Sequence, residues 1–154
     1  MKIKSRPYQL FLLSGLSFLL FSILALNREG SIDIHVHDTY YIVAHTHVLW
    51  ILASLSVLLW IIYILTNRFL FSKFITWLHV AVTISALILL SWISVFGYQL
   101  NGAPKYMDYS SPWSWKAHSG YSKAVIIIIA VLLTGQILYI VNLLGGIVKR
   151  KASI

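Results

Sequence analysis

Cysteine is absent from this 154-residue sequence, so disulfide frameworks, thiolate zinc sites and iron–sulfur clusters held by the chain are excluded. Acid is scarce as well. Four Asp and Glu stand against twelve Lys and Arg, and 10% of residues are charged, where a soluble domain carries about 25%. With 59% of residues hydrophobic, too little polar surface remains to wrap a water-soluble core, which rules out a cytosolic enzyme or a nucleic-acid module. What the chain does have is long apolar runs, 14% aromatic residues and six histidines. This is the composition of a membrane protein, and any metal it holds must use His, carboxylate or Met.

Four apolar runs are long enough to cross a hydrocarbon layer of about 30 Å, which takes roughly 20 helical residues. They cover residues 8–26, 40–65, 74–96 and 124–148. Backbone groups in lipid must be satisfied within the chain, so runs of this kind are expected as helices, and the single domain 1–154 is expected as an all-α four-helix bundle. The first run follows Lys2, Lys4 and Arg6 as a signal peptide would, but it exceeds the apolar core of a cleaved signal and is read as a span. With both termini cytoplasmic, eight basic residues (Lys2, Lys4, Arg6, Arg68, Lys73, Lys149, Arg150, Lys151) lie inside. Only Arg28, Lys105, Lys116 and Lys123 lie outside, as the positive-inside rule asks. The net charge of +8 is thus mostly topology and implies no nucleic-acid partner.

The segment from Asp33 to Val48 carries His35, His37, His45 and His47 with two carboxylates into the outer end of the second run. On a helix extending from Tyr40, His45 and His47 would lie roughly 9 and 12 Å below Thr39, inside the hydrocarbon, where ionisable groups are costly and mostly functional. Residues two apart on a helix point about 200° apart, so the two imidazoles cannot grip one ion from the same face. Each would serve its own site. A haem on either side of the helix fits this geometry, with irons roughly 13 to 16 Å apart. Two histidines hydrogen-bonding across helices as packing residues fit it too.

The run His37-Asp38-Thr39-Tyr40-Tyr41-Ile42-Val43-Ala44-His45-Thr46-His47 closely resembles the helix X signature of subunit I of the haem-copper oxidases, the cytochrome c oxidase type. Other stretches resemble the same subunit. Residues 14–34 are similar to helix IX and the loop after it, Trp77-Leu78-His79 to the start of helix XI, and Leu100 to Tyr109 to the loop before helix XII. The resemblance runs from about Ser14 to Leu144 and covers the last four of that subunit's twelve helices.

The resemblance implies that His45 takes the place of the high-spin haem ligand and His47 that of the low-spin haem ligand. Tyr40, Tyr41 and Lys105 then fall near the cofactor, and His37 and Asp38 fall where the family binds magnesium beside the haem propionates. Without the motif, Asp38 reads as a helix cap. Some positions depart from the family. Lys105 stands where the family has two adjacent arginines, Thr46 replaces an aromatic residue, and His35 has no counterpart and reads as a solvated loop residue. The family's copper ligands lie on the eight helices that this chain does not resemble. No copper is therefore expected, and oxygen reduction by this chain alone is not.

Of the other histidines, His79 lies roughly 7 Å from the inner end of its span and reads as a hydrogen-bonded packing residue, with proton movement as the sharper alternative. His118 sits among Trp113, Trp115 and Tyr121, an interfacial aromatic belt or a cap over a haem edge. Tyr63, Trp60 and Trp77 read as belt residues, and Gln136, Asn142 and Gly145-Gly146 as a packed helix face.

Taken together, the expectation is a haem-binding (type b or a) electron-transfer protein of a membrane such as the bacterial inner membrane, with its His-rich end outside. It would be one four-helix arc of the oxidase fold, working as a homo-oligomer (dimer or trimer) or beside a larger oxidase partner. The competing reading is a haem-handling or assembly factor or accessory subunit of such an oxidase.

Overall fold

The computed structural model describes residues 6–24, 26, 31–36, 39–100 and 112–151, with side chains for 6–24, 26, 43–96 and 123–150. In chain order the elements are α1 (Gln9–Leu24), β1 (Ser31–Val36), β2 (Thr39–Ala44), α2 (His45–Thr66), a 3₁₀ turn (Asn67–Phe69), α3 (Lys73–Leu100) and α4 (Pro112–Lys151). The molecule is mostly helical. Among the described residues, three of the four helices are long and apolar enough to cross a membrane, through His45–Phe69, Lys73–Phe96 and Lys123–Arg150. The helix α1 has 16 residues and spans roughly 24 Å, less than the hydrocarbon layer.

The second apolar run does not begin as a helix. Residues 39–44 form β2, which pairs antiparallel with β1 from Ser31↔Ala44 to Val36↔Thr39. Tyr40, Tyr41, Ile42 and Val43 are aromatic or β-branched, residue types that suit a pleated strand better than a helix, and the Ser31–Val36 segment supplies the matching edge. Helix α2 therefore starts at His45 itself, after Ala44 in extended conformation (φ −63°, ψ 142°) and without a side-chain cap. The other outer connection is also shorter than the 97–123 loop expected from hydropathy. Helix α3 continues to Leu100, and α4 begins at Pro112, a residue suited to the first helical position because its missing N–H has no partner there anyway.

Helix α1 lies along α2, and α3 along α4. Two apolar cores result. With the hairpin end named outer and the end at the α2–α3 turn named inner, the outer core gathers Phe18, Leu49, Leu52, Ala53 and Leu87, and the inner one Tyr8, Phe11, Leu59, Tyr63, Val80 and Tyr139. Along α2 the buried positions are 49, 52, 53, 56, 59 and 63, a three-and-four spacing that keeps one face toward α1 and α3. Where α1 meets α2 the approach is close at Gly15, where a Cβ would meet Val57 Cγ2 at 3.0 Å, Ala53 O at 3.3 Å and Ser56 Cβ at 3.4 Å. Trp50 Nε1 ties the pair together by donating to Ser22 Oγ at 2.9 Å. The remaining surface of the helices is covered with exposed Leu, Ile and Val, as a lipid-facing surface requires.

The tightest polar joint is at the inner end. Buried Asn142 of α4 accepts from Ser72 N at 2.8 Å through Oδ1 and donates through Nδ2 to Ser72 O at 3.1 Å and Thr76 Oγ1 at 3.0 Å. Its carbonyl also accepts from Phe71 N at 3.1 Å. One side chain thus satisfies the backbone groups that open where α3 begins. The turn can approach α4 this closely because residue 146 is glycine. A Cβ there would collide with the Phe69 carbonyl, whereas one on Gly145 would meet Phe71 Cβ at an ordinary 3.5 Å.

Asn142→Leu leaves Ser72 N without its side-chain acceptor and removes the Nδ2 bonds to Ser72 O and Thr76 Oγ1, and is expected to lower stability in detergent micelles by about 1–3 kcal/mol, read from denaturant unfolding followed by circular dichroism. In the same assay Gly146→Ala is expected to destabilise more than Gly145→Ala; equal effects would disprove the close approach as the reason for the glycine.

Candidate functional site

The two histidines that open α2 diverge, as residues two apart on a helix must. His45 is half-buried, and its Nδ1 is shielded from solvent without a hydrogen-bond partner. His47 is exposed, with its ring edge-on to Trp50 one turn along (centroids 5.8 Å apart, planes at 64°). Trp50 is in turn fixed to Ser22 of α1, so the outward imidazole rests on an anchored indole. Because α2 starts at His45, both rings belong to its first turn. The depth expected from a helix beginning at Tyr40 does not apply, and the pair sits at the mouth of the span, just after the hairpin.

Other residues of the motif are placed only in part. Tyr40 and Tyr41 lie in β2, where Tyr40 is in register with His35 and Tyr41 with Ile34. His35 is therefore a strand residue and not a loop residue. His37, Asp38 and Lys105 lie outside the described residues, and His118 falls within α4, with its side chain outside them. Among the described residues no three His, Asp or Glu side chains gather as a metal site would require. Among the described side chains the motif thus presents two separate imidazoles and no cluster.

A second polar constellation lies in the inner half of the molecule. His79, fully buried on α3, shares a 2.7 Å hydrogen bond through Nδ1 with Tyr63 OH of α2. The pair is boxed by rings. Phe11 stands 5.8 Å from both Tyr63 and His79, Tyr8 stacks on Tyr63 at 6.0 Å, and Tyr139 lies 5.0 Å from Tyr63 and 5.5 Å from His79. Next to it Thr66 Oγ1 donates to Ile62 O at 2.7 Å, which uses its only proton, so Tyr139 OH is the donor in the 2.7 Å Tyr139–Thr66 bond. His79 Nε2 has no hydrogen-bond partner among the described residues, and Gln136 of α4 donates through Nε2 to Leu132 O of its own helix at 3.4 Å.

Tyr63 is thus not a belt residue. It has no exposed surface and anchors the core, whereas Trp77 is exposed, as a belt residue would be. Its position in the sequence held the signal: 63 continues the 49-52-56-59 spacing of the buried face of α2. Thr83, one turn after His79 and equally buried, gave no such signal, since a threonine inside an apolar run commonly bonds to its own helix. Compared with known proteins, the chain matches no family model, no curated protein and no solved structure.

Removing the phenol hydroxyl in Tyr63→Phe strands His79 Nδ1 in an apolar box. A double-mutant cycle with His79→Leu is expected to show a coupling of about 1–2 kcal/mol in micelle unfolding, and a coupling near zero would rule out the bond as a stabilising link.

Proposed function

We propose that the chain is a haem-binding integral membrane electron carrier, a four-helix arc of the kind that forms the last third of haem-copper oxidase subunit I. His45 and His47 are the residues that would hold the haem irons. The observation that carries this reading is the divergence of the two imidazoles in one helical turn, one ring turned in with an unpaired buried nitrogen and the other turned out on Trp50. Packing histidines would be expected to have found partners across helices, as His79 has.

The residues fit such a group in three respects. Each imidazole stands alone, as an axial ligand to its own iron must, because a shared metal would need convergence. The buried His45 Nδ1 makes no hydrogen bond among the described residues, so none of them competes with a metal for that nitrogen. Trp50, held by Ser22, limits the swing of His47 and fixes the plane of its ring. Haem, when bound, supplies the one-electron couple. The protein's own part is to hold two such groups on opposite sides of one helix and to keep the inward one from water. Lys105 and the two tyrosines of β2 are the candidates for propionate and edge contacts, and His37 with Asp38 for magnesium.

The exposed side of His47 faces lipid in a single copy, so the reading carries a homo-oligomer or an oxidase-like partner that covers it. A four-helix bundle with cytoplasmic termini and the hairpin outside follows from the same assignment and from the charge bias of the connections.

The reduced-minus-oxidised spectrum and haem stoichiometry of the purified protein test this. Wild type is expected to show two six-coordinate signals, and His45→Ala and His47→Ala to remove one each. Substoichiometric, exchangeable haem would instead support a haem-handling factor. Unchanged spectra in both variants would end the two-site reading.

A further inference from the structure

The α2–α3 turn and the last turn of α4 bring basic side chains and phenyl rings together at the inner end of the molecule. Lys149 Nζ lies 5.2 Å from the centroid of the Phe71 ring, and the Arg150 guanidinium carbon 5.6 Å from that of Phe69. Arg68 immediately precedes the first ring in the chain, and Lys73 opens α3 two residues after the second. Arg68, Lys73 and Lys149 are all exposed. Their backbone is held: Phe71 N donates to Asn142 O at 3.1 Å, and the Phe69 carbonyl packs on Gly146, one helical turn before Lys149 and Arg150. The segment that carries Arg68 and Lys73 is thus pinned to the helix that carries the other two cations.

No Asp or Glu side chain belongs to this end. The four acidic residues are Glu29, Asp33, Asp38 and Asp108, which fall in the α1–α2 and α3–α4 connections at the opposite ends of the helices. A phenyl face attracts a cation through its quadrupole and fixes where it sits, but it carries no net charge, so the positive field remains. An anion completes such a cluster, and the position selects its kind. The three apolar spans reach His45–Phe69, Lys73–Phe96 and Lys123–Arg150, so the cations stand where the apolar parts of the helices end, at the level of the lipid headgroups. Beside Lys73 the exposed Phe74, Trp77 and Leu78 share one stripe of α3 and lead from the headgroup level into the apolar layer. A soluble phosphate makes no use of that stripe, whereas an acyl chain does.

We propose that Arg68, Lys73 and Lys149, with Arg150 over Phe69, form a binding site for the phosphodiester of an anionic glycerophospholipid such as phosphatidylglycerol, whose acyl chains lie along Phe74, Trp77 and Leu78. Lysine and arginine both donate charge-assisted hydrogen bonds to phosphate oxygens, and here the donors come from two segments locked together rather than from one helix face. A zwitterionic lipid brings an ammonium of its own, which the cluster repels, so the site discriminates by headgroup charge. It lies at the opposite end of α2 from His45 and is independent of haem there.

Native mass spectrometry of the full-length protein released from detergent micelles tests it, with phosphatidylglycerol and phosphatidylcholine of identical acyl chains offered at equal concentration. Wild type is expected to retain phosphatidylglycerol over phosphatidylcholine by roughly five-fold or more, the factor that one basic side chain supplies near an anionic surface. The triple variant Arg68→Gln/Lys73→Gln/Lys149→Gln is expected to lose the preference. Lys2→Gln/Lys4→Gln/Arg6→Gln removes as many charges from the N-terminal segment and is expected to keep it. Equal retention of both lipids by wild type would overturn the proposal, and so would an unchanged preference in the first triple variant. Equal loss in the two triple variants would overturn it too, by making the attraction a property of net charge. Displacement of the lipid by glycerophosphoglycerol at equal concentration, the same headgroup without acyl chains, would assign the cluster to a soluble phosphodiester instead and equally end the lipid reading.

Discussion

A polar atom placed in hydrocarbon has only the protein to bond with, and the molecule is organised around the few places where it accepts that constraint. The clearest is the joint at Asn142. The chain reverses between α2 and α3, and at a reversal a helix start exposes amide groups that no intrahelical carbonyl can satisfy. Asn142 meets them from a different helix, and its own carbonyl receives Phe71 N as well. Because one residue of α4 closes the turn, the pairing of α3 with α4 and the direction in which α3 sets out are fixed together. The Tyr139–Thr66 bond, one turn away on α4, joins the end of α2 to the same joint.

Above that joint the inner core is rich in rings, and the outer core is mostly aliphatic around Phe18. Phe11, Tyr63, His79 and Tyr139 form a box in which the hydroxyl and imidazole answer each other, so a polar pair is carried without opening the packing. At the outer end the helices approach through Gly15, Ala53 and Ser56, and α1 and α2 are tied by the indole of Trp50. That tie has a second effect. It fixes the ring against which His47 rests, so the outward imidazole of the candidate site is positioned by an interhelical bond that it does not itself make.

Much of this was legible in the sequence. Hydropathy located the three long spans, and the two-residue spacing of His45 and His47 separated their directions before any coordinates. His79 as a hydrogen-bonded packing residue and Asn142 on a packed face were legible too, because a polar residue inside an apolar run has few other roles. The hairpin was not. Tyr40 to Ala44 is as apolar as the helix it precedes, and hydropathy cannot tell a buried strand from the first turn of a span; β-branching and the partner segment at 31–36 decide it. Tyr63 was misplaced for a related reason. A tyrosine near the end of an apolar run suits the interface equally well, and only the i, i+3, i+4 ladder of its neighbours shows that it faces inward.

The length of α4 has a mechanical meaning. Forty residues make a continuous rod of roughly 60 Å, about twice the depth of the hydrocarbon. Its inner third is clamped to the α2–α3 turn, while its outer end stands well clear of the apolar part that begins near Lys123. A torque applied to that protruding end has no joint in which to dissipate, and it arrives at the clamp as a rotation of the whole shaft.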